Sequence, residues 1–122
     1  MKTSFCLIRP QNFEQEVILE KKPVLLLCMP DDSEFPGQLK VLNDVGVSCD
    51  RELKICLLEE EFIDRFKQSL RIGGTPTFII LVEGRERNRM LGLADRDSLA
   101  DFISNTLDLI KNGATGSQGS NS

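Results

Sequence analysis

The sequence predicts an α/β domain: a central five-stranded mixed sheet flanked by four helices, in the order βαβαβαββα. Three observations carry that prediction. The run Val24-Leu25-Leu26-Leu27-Cys28-Met29 is apolar without alternation, as in a strand covered by helices on both faces. Two strand-length runs, 77–82 and 85–91, are joined by Glu83-Gly84, the signature of a two-residue hairpin turn. Leu99, Phe102, Ile103, Leu107 and Ile110 then recur at the helical period.

Taken in order, residues 4–8 form a short first strand, which Pro10 ends. Asn12 is placed to cap a helix carrying Phe13, Val17 and Ile18 on one face as far as Glu20, after which Lys21, Lys22 and Pro23 break the pattern. The central strand, 24–29, runs into the turn Pro30-Asp31-Asp32-Ser33. A second helix over 34–45 carries Leu39, Leu42 and Val45 and stops at Gly46. Its Pro36 is tolerated in the first turn, where the lost N–H has no intrahelical partner.

Residues 53–58 make a third strand. Glu59, Glu60 and Glu61 then sit where carboxylates favour a helix N-terminus, and Phe62, Ile63, Phe66 and Leu70 give that third helix its apolar face. Gly73-Gly74-Thr75-Pro76 breaks the chain before the hairpin, and Asp95 is the N-cap of the last helix. Phe62, Phe66, Phe78, Leu99, Phe102 and Ile103 are the expected core. Residues 113–122 contain only Gly, Ser, Asn, Gln, Thr and Ala, which predicts a disordered tail after a single domain spanning 1–112.

Composition narrows the function. The 122 residues suffice for one domain, and 15 Lys and Arg against 19 Asp and Glu give a net charge of −4, which argues against a nucleic-acid partner. There is no His, Trp or Tyr, so His-based triads, His metal ligation and indole or phenol stacking are excluded. The first ten residues lack the long apolar region of a signal peptide, and no apolar run approaches the roughly 20 residues of a membrane span, which predicts a cytoplasmic, monomeric protein with no membrane partner. The run Asp31, Asp32, Glu34 supplies too few oxygen ligands at fixed spacing for a divalent cation, so neither metal nor cofactor is expected.

None of the four cysteines forms a Cys-x-x-Cys pair. Cys6, Cys28 and Cys56 fall inside expected strands and read as buried thiols. Cys49 lies in an expected polar connection beside Ser48, Asp50 and Arg51, which makes it the reactive-thiol candidate. Arg85, Arg87 and Arg89 alternate along the fifth strand, so all three are expected on one face, guarding a sheet edge.

Several segments together resemble thioredoxin: Asn12-Phe13 before the first helix, Pro23 to Met29 as the central strand, and Arg71-Ile72-Gly73-Gly74-Thr75-Pro76-Thr77 as the cis-proline loop. Glu83-Gly84 and Leu91-Gly92 follow at the family's spacing, and the resemblance covers residues 5–107. It implies the thioredoxin fold and a cis bond at Thr75-Pro76, with Thr75 offering its backbone to an extended peptide. It also implies loss of the redox chemistry. Where the family has Trp-Cys-Gly-Pro-Cys, this chain reads Asp32-Ser33-Glu34-Phe35-Pro36. Ser33 thus stands at the nucleophilic cysteine, Pro36 at the resolving cysteine and Leu27 at the buried acid.

With no histidine to serve as base, Ser33 reads as a helix cap rather than a nucleophile. The implied function is a non-catalytic module binding a protein or peptide segment in a groove of Met29, Asp32, Ser33, Phe35, Gly74, Thr75, Pro76 and Gly92. The alternative is a thiol-disulfide protein acting through Cys49 or Cys28.

Overall fold

Five strands form one sheet in the order β1-β3-β2-β4-β5, and the apolar run takes its middle. In the computed structural model, which describes residues 5–49 and 51–112, the strands are β1 (Cys6–Ile8), β2 (Val24–Cys28), β3 (Lys54–Leu58), β4 (Thr77–Val82) and β5 (Arg85–Leu91). β1 and β2 each pair parallel with β3. β4 runs antiparallel to β2, and β5 antiparallel to β4. Four helical segments flank the sheet: a π-helix (Glu14–Ile18), α1 (Phe35–Cys49), α2 (Ile63–Phe66) entered through a 3-10 turn (Glu60–Phe62), and α3 (Arg96–Lys111). The expected tail, 113–122, lies outside the described residues, as does Ser4 of the expected first strand.

Because side chains alternate across a strand, β2 feeds two cores. Leu25 and Leu27 join Phe78 and Ile80 beneath Leu42 of α1 and Leu99 and Ile103 of α3. Leu26 and Cys28 join Ile79 and Leu81 on the other face, under Val17, Ile63 and Phe66. Asp95 caps α3, its Oδ1 accepting the N–H of Ser98 at 2.8 Å. Of the expected core, Phe66, Phe78, Leu99 and Ile103 are buried, whereas Phe62 and Phe102 are half-buried at the margins of the two clusters. No helix among the described residues is long and apolar enough to cross a membrane.

Several local expectations are corrected. The first helix is π-helical, with Leu19 N–H donating to Glu14 C=O at 2.9 Å, and Ile18 is 39% exposed rather than inside. Asn12 does not cap that helix. Its Oδ1 accepts from Arg9 N–H and its Nδ2 donates to Leu7 C=O, closing the turn after β1. The third helix is shorter than its apolar face suggests, since residues 67–71 continue as turns that end with Arg71 at φ 54°.

The second helix is longer. Gly46 stays helical and buried, and Ser48 Oγ and Cys49 Sγ both reach back to the Val45 carbonyl, at 2.8 and 3.4 Å. Cys49 is therefore helical and half-buried, not a residue of a polar loop. In β5 the register shifts between Ile80 and Leu81, so that Leu81 faces Glu86 while Ile80 faces Asn88. The bulge brings Glu86 and Arg89 to one side of the strand, and the three arginines do not share a face.

Candidate functional site

The sheet register brings part of the expected groove together: Met29, Pro76 and Gly92. Cys28 pairs with Thr77, so the chain leaving β2 at Met29 runs beside the chain entering β4 at Pro76. Thr77 pairs with Leu91 in turn, and Gly92 N–H donates to Pro76 C=O at 2.9 Å. Gly92 has φ +93°, a conformation that favours glycine. Three chain segments thus lie side by side: Met29, then Thr75 and Pro76, then Gly92.

The Thr75-Pro76 peptide bond is cis. Thr77 Oγ1 donates to Gly74 C=O at 2.6 Å, fastening the loop from the strand side. Thr75 is exposed, and among the described residues neither its N–H nor its C=O has a hydrogen-bond partner.

The turn before α1 supplies Asp32 and Ser33, and Phe35 is the first residue of α1. Asp32, not Ser33, holds the turn into α1: its Oδ1 accepts the N–H of Glu34 at 2.9 Å and its C=O accepts the N–H of Phe35 at 3.1 Å. For the Glu34 N–H, a carboxylate two residues upstream is a stronger acceptor than a neighbouring hydroxyl. Asp32 and Ser33 are exposed, Phe35 is half-buried and Met29 is buried. Met29 and Phe35 also border a cleft of about 730 Å³ on the β3 side of β2, whose lining includes none of Gly74, Thr75, Pro76 or Gly92.

Thiol chemistry has little support at this end of the sheet. Cys28, the cysteine nearest the groove in sequence, is fully buried, and desolvation pushes its thiol up to about 12 despite the Arg89 charge. Cys56 is likewise raised, chiefly by burial, and Cys6 by burial and by the Glu16 carboxylate that accepts its S–H at 3.5 Å. All four cysteines are free thiols. Among the described residues no group of His, Cys, Asp or Glu could hold a metal ion.

Three long-range anchors, two at the site and one at the opposite end of the sheet, were not evident in the sequence. Arg89 donates to the carbonyls of Leu70 and Arg71 at 2.7 and 2.9 Å while held by both oxygens of Glu86, so it ties the segment leading to Gly74 onto β5. Gln38, 3% exposed, exchanges two 2.9 Å hydrogen bonds with the backbone of Ala94, fixing α1 against the segment after Gly92. Lys54 reaches the carbonyl and carboxylate of Glu16 and the carboxylate of Glu20. Only Gln38 left a trace, as a polar residue one turn before Leu42 on the buried face of α1. No family model matches the chain, and no curated protein gives a significant match.

Proposed function

We propose that the protein is a non-catalytic binding module that holds an extended protein or peptide segment along Thr75. The observation that carries this reading is the backbone of Thr75, exposed and unpaired among the described residues, in a loop fastened on both sides by Thr77 and Gly92. A donor and an acceptor held in place at the end of a sheet can pair with an incoming strand at little ordering cost. Ser33 and Pro36 at the start of α1, with Cys28 buried and strongly protonated, favour binding over disulfide exchange.

The test uses Gly74, where an added Cβ would meet no atom within 4 Å. Peptides selected from a displayed random library should shift the amide resonances of Met29, Gly74, Thr75 and Gly92. The Gly74→Phe variant should keep its melting temperature and bind those peptides at least about tenfold more weakly. A library that yields no binder, or peptides that bind the variant equally well, defeats the proposal. So does reduction of insulin by the protein in the presence of dithiothreitol.

A further inference from the structure

The cleft of about 730 Å³ beside the groove has a composition of its own. It opens at the C-terminal ends of β1, β2 and β3, where Leu7 is 45% exposed on its strand and Phe35 and Leu39 of α1 are half-buried. Five carboxylates line it, Asp31, Glu59, Glu60, Glu61 and Asp64, and no Lys or Arg does. Two of these acids are already matched, Glu59 by Arg9 at 2.6 Å and Asp64 by Lys67 at 3.1 Å. Asp31, Glu60 and Glu61 have no cationic partner among the described residues; Glu60 Oε1 only accepts the N–H of Asp31, at 3.2 Å.

An apolar floor edged by three unmatched negative charges is complementary to one kind of surface. We propose that this cleft docks a basic amphipathic segment of a partner protein, its apolar side chains on Leu7, Phe35 and Leu39 and its lysines or arginines against Asp31, Glu60 and Glu61. Apolar contact supplies the affinity, and the charges select the partner and speed its approach. The chain's own C-terminal ten residues carry no positive charge and cannot supply this segment. The surface is separate from the Thr75 loop, sharing only Met29 and Phe35 with the groove, and does not depend on strand pairing there.

The probe is a synthetic peptide alternating lysine with leucine and phenylalanine, compared by fluorescence anisotropy with the same peptide carrying glutamate for lysine. The lysine peptide should bind the full chain, weaken as salt rises, and shift the amide resonances of Leu7, Asp31, Glu60 and Glu61. A Glu60→Lys, Glu61→Lys double variant, altered only at exposed positions, should keep its melting temperature and bind at least about tenfold more weakly, whereas Gly74→Phe should bind the lysine peptide normally. Equal binding of the glutamate peptide, undiminished binding by the double variant, or resonance shifts confined to other residues would overturn the proposal. It would also be overturned if sedimentation showed the free protein to be a dimer that the double variant dissociates, because a second copy would then fill the cleft.

Discussion

Gln38 occupies a helix position whose neighbours one and two turns on, Leu42 and Val45, lie in the core. A polar side chain there is costly unless both its donor and its acceptor are used, and the Ala94 backbone uses both. Gln38→Ala removes two hydrogen bonds and leaves a buried N–H and C=O without partners, so it should lower unfolding free energy by about 3 kcal/mol in urea titration. A loss below about 0.5 kcal/mol would mean that water replaces the amide.

The cysteines differ in the same residue-level way. Cys28 and Cys56 are buried with thiols far above the usual range, Cys6 is raised by burial and Glu16, and Cys49 lines a cleft of about 210 Å³ between α1 and α3. Because the thiolate is the attacking species, iodoacetamide should modify Cys49 first, Cys6 next, and Cys28 and Cys56 last, read by mass spectrometry of the native protein. Early modification of Cys28 would show that the end of β2 opens to solvent and would revive the thiol alternative.

At the scale of elements, five π-helical residues cannot sustain themselves, and Lys54 holds this segment from the adjacent strand. Burial alone would lower the Lys54 pKa, but the hydrogen bonds to Glu16 and Glu20 outweigh it and push the group to about 12. Glu16 is depressed chiefly by its hydrogen bond to Lys54, and Glu20 chiefly by the backbone N–H of Lys22, with Lys54 second. A depressed carboxyl contributes stability above its unfolded value of 4.5 that disappears as pH falls through the folded value. Lys54 remains charged throughout that range. Lys54→Met should therefore cost about 1 kcal/mol at neutral pH and flatten the acid limb of stability below about pH 4.5, followed by thermal melts across that range. An unchanged acid limb would place the pH sensitivity elsewhere.

These same elements show what a linear reading can reach. Strands and the last helix are written in apolar period and turn residues, which is why β4, β5 and the Asp95 cap agree with the sequence residue for residue. The adjacency of Met29, Pro76 and Gly92 is legible for the same reason, since they sit at strand ends. Lys54 and Gln38 act on partners 34 or more residues away and Arg89 on carbonyls 18 and 19 residues away, and nothing in a local pattern identifies such partners. The continuation of α1 through Gly46 and the bulge in β5 are not legible in the sequence, because tertiary packing overrides the local propensity of glycine and of an alternating charged strand.

For the whole molecule, the strand order has a consequence for how the chain is made. β2 is the most apolar strand and the central one, yet its two neighbours, β3 and β4, begin only at Lys54 and Thr77. During synthesis Val24-Leu25-Leu26-Leu27-Cys28 emerges with both edges bare, without charge or proline, a segment suited to pairing with the same segment of another nascent chain. Lys21 and Lys22 before it, and Asp31 and Asp32 after it, stand where flanking charges oppose such pairing until β4 arrives. A chain ended at residue 70, lacking β4, should scatter light and bind a dye that reports exposed apolar surface, while the full chain does neither. Replacing Lys21, Lys22 and Asp31 together by serine, with Asp32 left in place to hold the turn into α1, should make the full chain aggregate during refolding from urea and leave its final melting temperature within a few degrees of the parent. Each growing chain would thus be kept apart from its neighbours by charges that contribute little to the finished fold.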